Sequence, residues 1–346
     1  MSAAAHLLGI ALVAITPAIA SYFCVGWAIE WLRSRAMARP NHRSGHADET
    51  PQGAGIVIIP IALTAIAGAV VLGAVPLGGL SHAISVAAAA LGLMLVGFVD
   101  DSRPLPVTPR LAIQVMAAAL VLFTLPVEFR FLPAIVPVAA ERVLLFLAIL
   151  WFTNVMNFMD GLDWMSAVET LSIGGGIVLL AALGLVPNTL GWYAAAISGA
   201  LAGFMPRNAP PARVFLGDAG SLPLGLLLAT MLLHLAAAGA HAAAMILPLY
   251  YLADATITLL RRIVQGAHPW EAHRDHYYQR AQQRGWPVLR IVTHVGLLNG
   301  ALIALAVTAT WIGTWGAGLI AFGLSLILVL ATIHRFDAAE RKAGGG

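Results

Sequence analysis

One stretch of the chain gathers amides and carboxylates at the end of an apolar segment: Asn154-Val-Met-Asn-Phe-Met-Asp-Gly-Leu-Asp163. On a helix, Asn154, Asn157 and Gly161 recur at spacings of three and four residues and share a face, with Asp160 beside them. A polar helix cap is the simplest role for such residues, but a cap needs only one acceptor. Burying unpaired Asn and Asp near lipid costs on the order of several kcal/mol each. The stretch is therefore predicted to be functional.

A second acidic group ends another apolar segment, in Gly97-Phe98-Val99-Asp100-Asp101. Adjacent carboxylates repel one another unless a cation lies beside them. A plain solvated loop is the alternative explanation. Carboxylates of this kind suit Mg²⁺, which keeps some waters and takes further ligands from phosphate. The pair is therefore predicted to lie at a magnesium site.

A third acidic group precedes an apolar segment, where Gly217, Asp218 and Gly220 follow the loop Ala209-Pro-Pro-Ala-Arg-Val-Phe-Leu216. Small residues at a helix N-terminus leave free N–H groups that bind anions. Such a motif alone is a weak signal. As the third group of carboxylates at the end of an apolar segment, it indicates an anion site.

The last large polar loop combines histidines, arginines and aromatic residues. His273 and His276 lie three residues apart within 268–290, and their neighbours include four arginines. These side chains supply cations and hydrogen-bond donors to a phosphorylated ligand. A zinc pair is the rival interpretation, but no cysteine is near. Asp254, just upstream, has two interpretations, a proton site of a transporter or a structural acid.

The composition shows which elements must carry these residues. The chain has 346 residues, of which 60% are hydrophobic and 10% charged, and its mean hydropathy is +0.86. This excludes an ordinary soluble domain and predicts an all-α, polytopic membrane protein, one integral domain over 1–346. Its single cysteine, Cys24, excludes an intrachain disulfide and a cysteine metal cluster. Eleven segments are predicted to span the bilayer, near 5–30, 54–75, 82–99, 111–127, 141–158, 164–185, 190–206, 219–238, 242–260, 291–310 and 312–333.

The basic residues predict the orientation of these segments. When alternate loops are pooled, all 19 Lys and Arg residues except Arg130 and Arg142 fall in one set. The positive-inside rule then places the N-terminus outside and the C-terminus in the cytoplasm. The same assignment brings the polar motifs to the cytoplasmic face, in loops at 33–55, 100–110, 158–164, 206–218 and 261–290.

Taken together, the ordered motifs resemble those of one family. They are Asp100-Asp101, Asn154-x-x-Asn157-x-x-Asp160-Gly-Leu-Asp163, Asn208-x-x-Pro211-Ala-x-Val-Phe-x-Gly-Asp218-x-Gly-Ser221 and the His-bearing last loop. The chain is similar to the polyprenyl-phosphate N-acetylhexosamine-1-phosphate transferases over about residues 40–286. The resemblance implies transfer of a phospho-sugar from a UDP-N-acetylhexosamine to undecaprenyl phosphate, with release of UMP and with Mg²⁺, or Mn²⁺, as cofactor. It implies a bacterial inner membrane enzyme with a cytoplasmic active site, without nucleic acid and with a homodimer left open.

The resemblance also assigns roles to individual residues. Asp218 matches the metal ligand, and Asp101, with Asp100, lies close to the metal and the lipid phosphate. Asp100, Asp101, Asp160, Asp163 and His276 form the expected catalytic set. The expected substrate-binding set is Asn154, Asn157, Asn208, Phe215, Arg110 and His273, with Phe215 stacked on uracil.

Two features of the sequence depart from the family pattern. The usual Gly-Gly after Pro51 is Gly53-Ala54-Gly55, and the final His-x-His-His is reduced to His276-Tyr-Tyr-Gln279. The second variant is closer to the O-antigen-initiating branch than to the peptidoglycan branch. The alternatives are a secondary transporter, in which carboxylates near the bilayer centre bind ions, and an inert scaffold related to these enzymes.

Overall fold

The structure, a computed structural model, describes residues 3–38, 49–126, 128–131, 136–268 and 273–338. These residues form an almost entirely helical protein, as the hydropathy predicts. The helices are α1 (Ala3–Arg33), α2 (Gly55–Val71), α3 (Leu80–Ser102), α4 (Val107–Phe123), α5 (Val138–Phe158), α6 (Met165–Ala182), α7 (Asn188–Phe204), α8 (Asp218–Ala237), α9 (His241–Ile246), α10 (Leu249–Val264), α11 (Tyr277–Gln283), α12 (Val288–Ile312) and α13 (Trp315–Asp337).

Seven of the described helices are long and apolar enough to cross a membrane, namely α1, α3, α5, α6, α8, α12 and α13. Helices α2 and α4 are apolar but shorter. Each of the eleven predicted segments overlaps a helix, although the segment predicted at 242–260 is divided between α9 and α10. Pro248 precedes α10, and proline has no N–H to continue a helical ladder. The count of eleven spans and their orientation remain predictions.

Helix α8 lies at the centre of the bundle, packed against α3, α5, α2 and α9. The apolar stretch of α8 is entirely buried, which explains why its sequence is apolar on every face rather than amphipathic. Exposed apolar side chains are instead on peripheral helices such as α1 and α13, for example Trp27 and Leu319. The N-terminus of α8 therefore lies inside the protein, at the end where α3 and α5 terminate.

Two glycines allow other helices to approach the first turn of α8. A Cβ on Gly97 of α3 would overlap the backbone carbonyl of Asp218, and a Cβ on Gly55 of α2 would overlap the backbone of Gly220. Small residues at helix crossings permit such backbone contact. The glycines therefore bring the ends of α2 and α3 against the turn that begins α8.

A short antiparallel pair, β1 (Met37–Ala38) with β2 (Thr50–Pro51), joins α1 to α2. The chain after β2 hydrogen-bonds to the loop before α8, because Phe215 N donates to Pro51 O (2.8 Å) and Ala54 N donates to Phe215 O (3.1 Å). The Pro51–Gly55 stretch and the loop at 206–217 are thus fixed to one another. Residues 39–48 of the predicted loop 33–55, and residues 269–272 of the loop 261–290, lie outside the described residues.

Candidate active site

Asp101, at the end of α3, accepts the free N–H groups at the start of α8. Its Oδ1 accepts from Asp218 N and its Oδ2 from Ala219 N, both at 3.0 Å. This carboxylate caps α8 from another helix, which satisfies N–H groups that have no partner within α8. Gly217 takes φ +73°, and a Cβ there would overlap the Asp101 carboxylate. Only glycine meets both conditions without strain.

Arg110 of α4 lies between two other carboxylates. Its Nη1 is 2.9 Å from Asp100 Oδ2, and its Nη2 is 2.9 Å from Asp218 Oδ2. Asp100 also accepts from Leu105 N (2.6 Å). The adjacent acids Asp100 and Asp101 thus have different partners, a guanidinium for one and a helix N-terminus for the other. Their proximity in sequence therefore does not by itself require a metal, contrary to the argument from charge repulsion.

Asn157, in the last turn of α5, connects the first acidic stretch to the start of α8. Its Nδ2 donates to Asp218 Oδ1 (2.7 Å) and to Ser221 Oγ (3.0 Å). Asp218 is thereby held by α4 on one oxygen and by α5 on the other. Three motifs that are separate in the sequence, at 100–101, 157 and 218–221, lie together in the structure.

The donor set around Asp218 fits a hard cation that takes its other ligands from substrate. Among the described residues, no group of three or more His, Cys, Asp and Glu is placed to hold a metal ion. Mg²⁺ commonly binds through one or two carboxylates together with phosphate oxygens and waters. Asp218 and Asp101 are adjacent carboxylates of the required chemistry, and each oxygen of a carboxylate has a second lone pair for a metal.

The loop from 159 to 164 corrects one expectation. Helix α5 ends at Phe158, so Asp160 and Gly161 lie beyond it and do not continue the face formed by Asn154 and Asn157. Gly161 instead lies against α11, where a Cβ would overlap the hydroxyl of Tyr278. Tyr278 OH donates to Phe158 O (3.0 Å). The residues after Phe158 therefore lie outside α5 and contact the last loop.

The two aspartates of this loop have different surroundings. Burial raises the pKa of Asp160 to about 8, and the negative charges of Asp218 and Asp163 contribute in the same direction. This places Asp160 within the electrostatic reach of the site at Asp218. Asp163 is buried, and its Oδ2 accepts from Ala212 N (3.0 Å). Asp163 therefore fixes the loop that leads to α8.

Two asparagines of the predicted substrate-binding set connect parts of the protein to one another. Asn208 is buried; its Oδ1 accepts from Trp164 N (2.7 Å) and its Nδ2 donates to Val214 O (3.0 Å). Asn154 Nδ2 donates to Gln114 Oε1 of α4 (2.7 Å) and to Leu150 O (2.8 Å). Asn208 thus joins the loops at 159–164 and 206–217, whereas Asn154 joins α5 to α4 one helical turn below Asn157.

Phe215 lies two residues before Gly217, in the loop that is paired with Pro51 and Ala54. Its backbone is fixed by both of these residues, and the residue is partly exposed. The anion bound at the start of α8 is the Asp101 carboxylate rather than a ligand. The Phe215 ring, on a rigid backbone, provides a flat surface beside this cluster of carboxylates.

The last loop is held by Asp254, a fully buried residue of α10. His276 Nδ1 lies 3.3 Å from Asp254 Oδ1. The His276 ring also packs near His273, with 5.0 Å between ring centroids, and near Phe158 of α5, at 6.4 Å. Burial, followed by the neighbouring His276 and Arg262, lowers the pKa of His273 to about 4. His273 is therefore neutral at pH 7.

Two residues of this region were not assigned to the site from the sequence. Asp254 had only a structural or a transporter interpretation, and Asp337 at the end of α13 was not identified. Asp337 Oδ1 pairs with Arg280 Nη1 (2.7 Å) and Arg284 Nη1 (3.2 Å). The only signal in the sequence was their charge in or beside apolar segments.

Known proteins support the grouping of these motifs. The family model described as "Glycosyl transferase family 4" matches residues 83–236, a range that contains the motifs at 100–101, 154–163 and 208–221. The chain is 28% identical to a decaprenyl-phosphate N-acetylglucosaminephosphotransferase of Mycolicibacterium smegmatis, over 93% of this chain and 87% of that protein. It is 27% identical to a phospho-N-acetylmuramoyl-pentapeptide-transferase of Deinococcus radiodurans, over 86% of this chain and 97% of that protein.

Proposed function

From the confirmed resemblance to the polyprenyl-phosphate N-acetylhexosamine-1-phosphate transferases, we infer that this membrane protein transfers a hexosamine-1-phosphate to a polyprenyl phosphate. We propose further that the donor is a UDP-N-acetylhexosamine, that the acceptor is undecaprenyl phosphate and that UMP is released. The proposed setting is the start of an O-antigen-like polysaccharide, with the active site facing the cytoplasm.

One observation carries the proposal: Asp100, Asp101 and Asp218 meet with Arg110 and Asn157 at the partly buried N-terminus of α8. Joining two anionic phosphates requires that their repulsion be neutralised and that the attacking oxygen be held in line. The first N–H groups of α8 already donate to Asp101, so Arg110 is the phosphate-binding donor of this cluster. The carboxylates beside it supply oxygen ligands for a divalent cation.

Other residues have separate roles in substrate binding under this proposal. Arg110, whose two Nη groups contact Asp100 and Asp218, is the guanidinium that would contact a substrate phosphate. Phe215 provides a stacking surface for the uracil ring, and Asp163 and Asn208 hold the loop that carries it. When bound, Mg²⁺ supplies charge neutralisation of the diphosphate, and Asp218 and Asp101 would hold it.

The proposal is tested with the purified full chain, undecaprenyl phosphate, Mg²⁺ and a panel of UDP-sugars. The panel includes UDP-GlcNAc, UDP-GalNAc and 6-deoxy derivatives such as UDP-FucNAc and UDP-QuiNAc. We expect UMP release with at least one N-acetylhexosamine and its loss on addition of EDTA. Failure of a folded preparation to release UMP with any sugar of the panel would count for the transporter or scaffold alternatives.

A further inference from the structure

Asp254 is a carboxylate with several hydrogen-bond donors, and the proposed mechanism does not use it. It is fully buried in α10. Its Oδ1 accepts from Tyr277 N (3.0 Å) and Thr258 Oγ1 (3.3 Å), and its Oδ2 accepts from Tyr250 OH and Tyr278 N, both at 3.2 Å. Four donors thus converge on the two oxygens, in addition to the contact with His276.

These contacts make Asp254 the N-terminal cap of α11. Tyr277 and Tyr278 are the first two residues of that helix, and their N–H groups have no acceptor within it. A seven-residue helix is too short to be stable alone, so its position depends on contacts of this kind. His276, the residue before α11, is placed by the same carboxylate.

The contact with His276 also selects the protonation state of the imidazole ring. Because Asp254 acts only as an acceptor, the proton in the 3.3 Å contact belongs to Nδ1 of His276. The two ring nitrogens lie on different edges of the imidazole. Nε2 therefore faces away from the Asp254 carboxylate, and the ring itself lies beside Phe158, where the 159–164 loop begins.

We propose that Asp254 is a positioning residue for His276, which it holds with Nδ1 protonated and Nε2 turned away from the carboxylate. When the ring carries its second proton, Nε2–H donates a hydrogen bond to a substrate phosphate oxygen. The inference rests on the proposed function for the role of Nε2. The tautomer and the tether follow from geometry alone. A hydrogen bond to one ring nitrogen is the usual means by which proteins fix the state of the other.

A matched control exists at the opposite end of α11. Asp337 pairs with Arg280 and Arg284, so it also holds α11, but no described contact joins it to the His276 ring. If Asp254 acted only by holding the helix, loss of Asp337 would have a comparable effect. If Asp254 acts through the imidazole, only loss of Asp254 reduces turnover.

The kinetic test is a double-mutant cycle in the UMP-release assay. We expect His276→Gln to lower kcat about a hundredfold and Asp254→Asn to lower it about tenfold. Because both variants affect the same imidazole, the kcat of the double variant should lie within about threefold of that of His276→Gln. Asp337→Asn should keep kcat within about threefold of wild type. Multiplicative losses in the double variant, or an equal loss in Asp337→Asn, would overturn the proposal.

A second measurement needs neither turnover nor the Asp254 variant. In protein labelled with ¹⁵N-histidine, the long-range ¹H–¹⁵N spectrum reports which ring nitrogen carries the proton, and the resonance of His276 is identified by its loss in His276→Gln. We expect protonated Nδ1 in the wild type. A neutral ring protonated only at Nε2 would refute the proposal. Absence of UMP release with an Nδ1-protonated His276 would instead refute the proposed function.

Discussion

Arg110 and Asp101 explain how the acidic residues of the site are accommodated in the folded protein. Arg110 contacts Asp218 across 108 positions of sequence, and Asp101 contacts the first turn of α8 across 117 and 118. The sequence indicated that Asp100 and Asp101 need a positive partner, because adjacent carboxylates repel. It did not indicate that the partners are a guanidinium and a helix N-terminus, because both contacts depend on the packing of α3, α4 and α8.

Asp160 is expected to make the stability of the protein depend on pH. Its pKa is raised to about 8 in the folded state, against about 3.9 for an unperturbed aspartate. Between these values the folded state holds a proton that the unfolded state has lost, so stability falls as pH rises. The test measures the thermal midpoint of wild type minus that of Asp160→Asn, without Mg²⁺, from pH 4 to 9. This difference should decrease up to about pH 8 and then level off.

The asparagine variant is the control for this prediction because it keeps the shape of the side chain and cannot titrate. A difference between the two proteins that stays constant from pH 4 to 9, or that increases with pH, would show that the pKa of Asp160 is not raised in the folded state.

Long apolar helices were predictable from sequence, whereas two short elements were not. Every predicted segment overlaps a helix, because about 20 apolar residues are needed to cross a bilayer as a helix. The interruption at 247–248 was not identified, although Pro248 marks it. Helix α11 was also missed because its seven residues are held by Asp254 and Asp337, which are distant in sequence.

The contact of α3 with α8 predicts different effects for two glycines of the same helix. A Cβ on Gly97 would overlap the Asp218 backbone, whereas Gly92 has open space around its Cβ position. Gly97→Ala should therefore destabilise the protein by roughly 1–3 kcal/mol and lower the rate of UMP release, because Asp218 is displaced. Gly92→Ala should be neutral or slightly stabilising, by up to about 1 kcal/mol.

Thermal midpoints in detergent and initial rates of UMP release test this pair. Equal behaviour of the two alanine variants would mean that the backbone contact between α3 and the first turn of α8 does not position the site.

At the scale of the whole molecule, the distribution of basic residues over alternate loops predicted that the motifs share one end of the bundle. The structure brings Asp100, Asp101, Asn157 and Asp218 together at the N-terminus of α8. The exact contacts were not predictable, because they depend on which helices neighbour the central α8. Asn154 and Asn208 illustrate this, since their amides join parts of the protein to one another.

The predicted orientation is tested with single cysteines in a Cys24→Ser background. Cysteines at Ser102, Ala209 and Gln283 should react with an impermeant maleimide only from the cytoplasmic side, because they lie at the same end as Asp218. One at Pro187, in the loop between α6 and α7, should react only from outside. Labelling of Ala209→Cys from the periplasm would overturn the orientation and the eleven-span count.

The central claim is that the carboxylates at the N-terminus of α8 bind the metal that the transfer requires. The most direct measurement is UMP release by wild type and Asp218→Asn over a range of Mg²⁺ concentrations, with the substrates that the wild type accepts. Asn keeps the shape of the side chain but removes its charge, and loss of the charge stabilisation by the metal is worth several kcal/mol, roughly a thousandfold or more in rate.

We predict that Asp218→Asn loses turnover at every Mg²⁺ concentration, whereas His276→Ala loses less, because Arg274, Arg280 and His273 remain in the last loop. The contrary result is an Asp218→Asn protein that keeps most of its turnover at saturating Mg²⁺ while His276→Ala is inactive. That result would show that the metal does not bind at the N-terminus of α8 and that residues of the last loop carry out the chemistry.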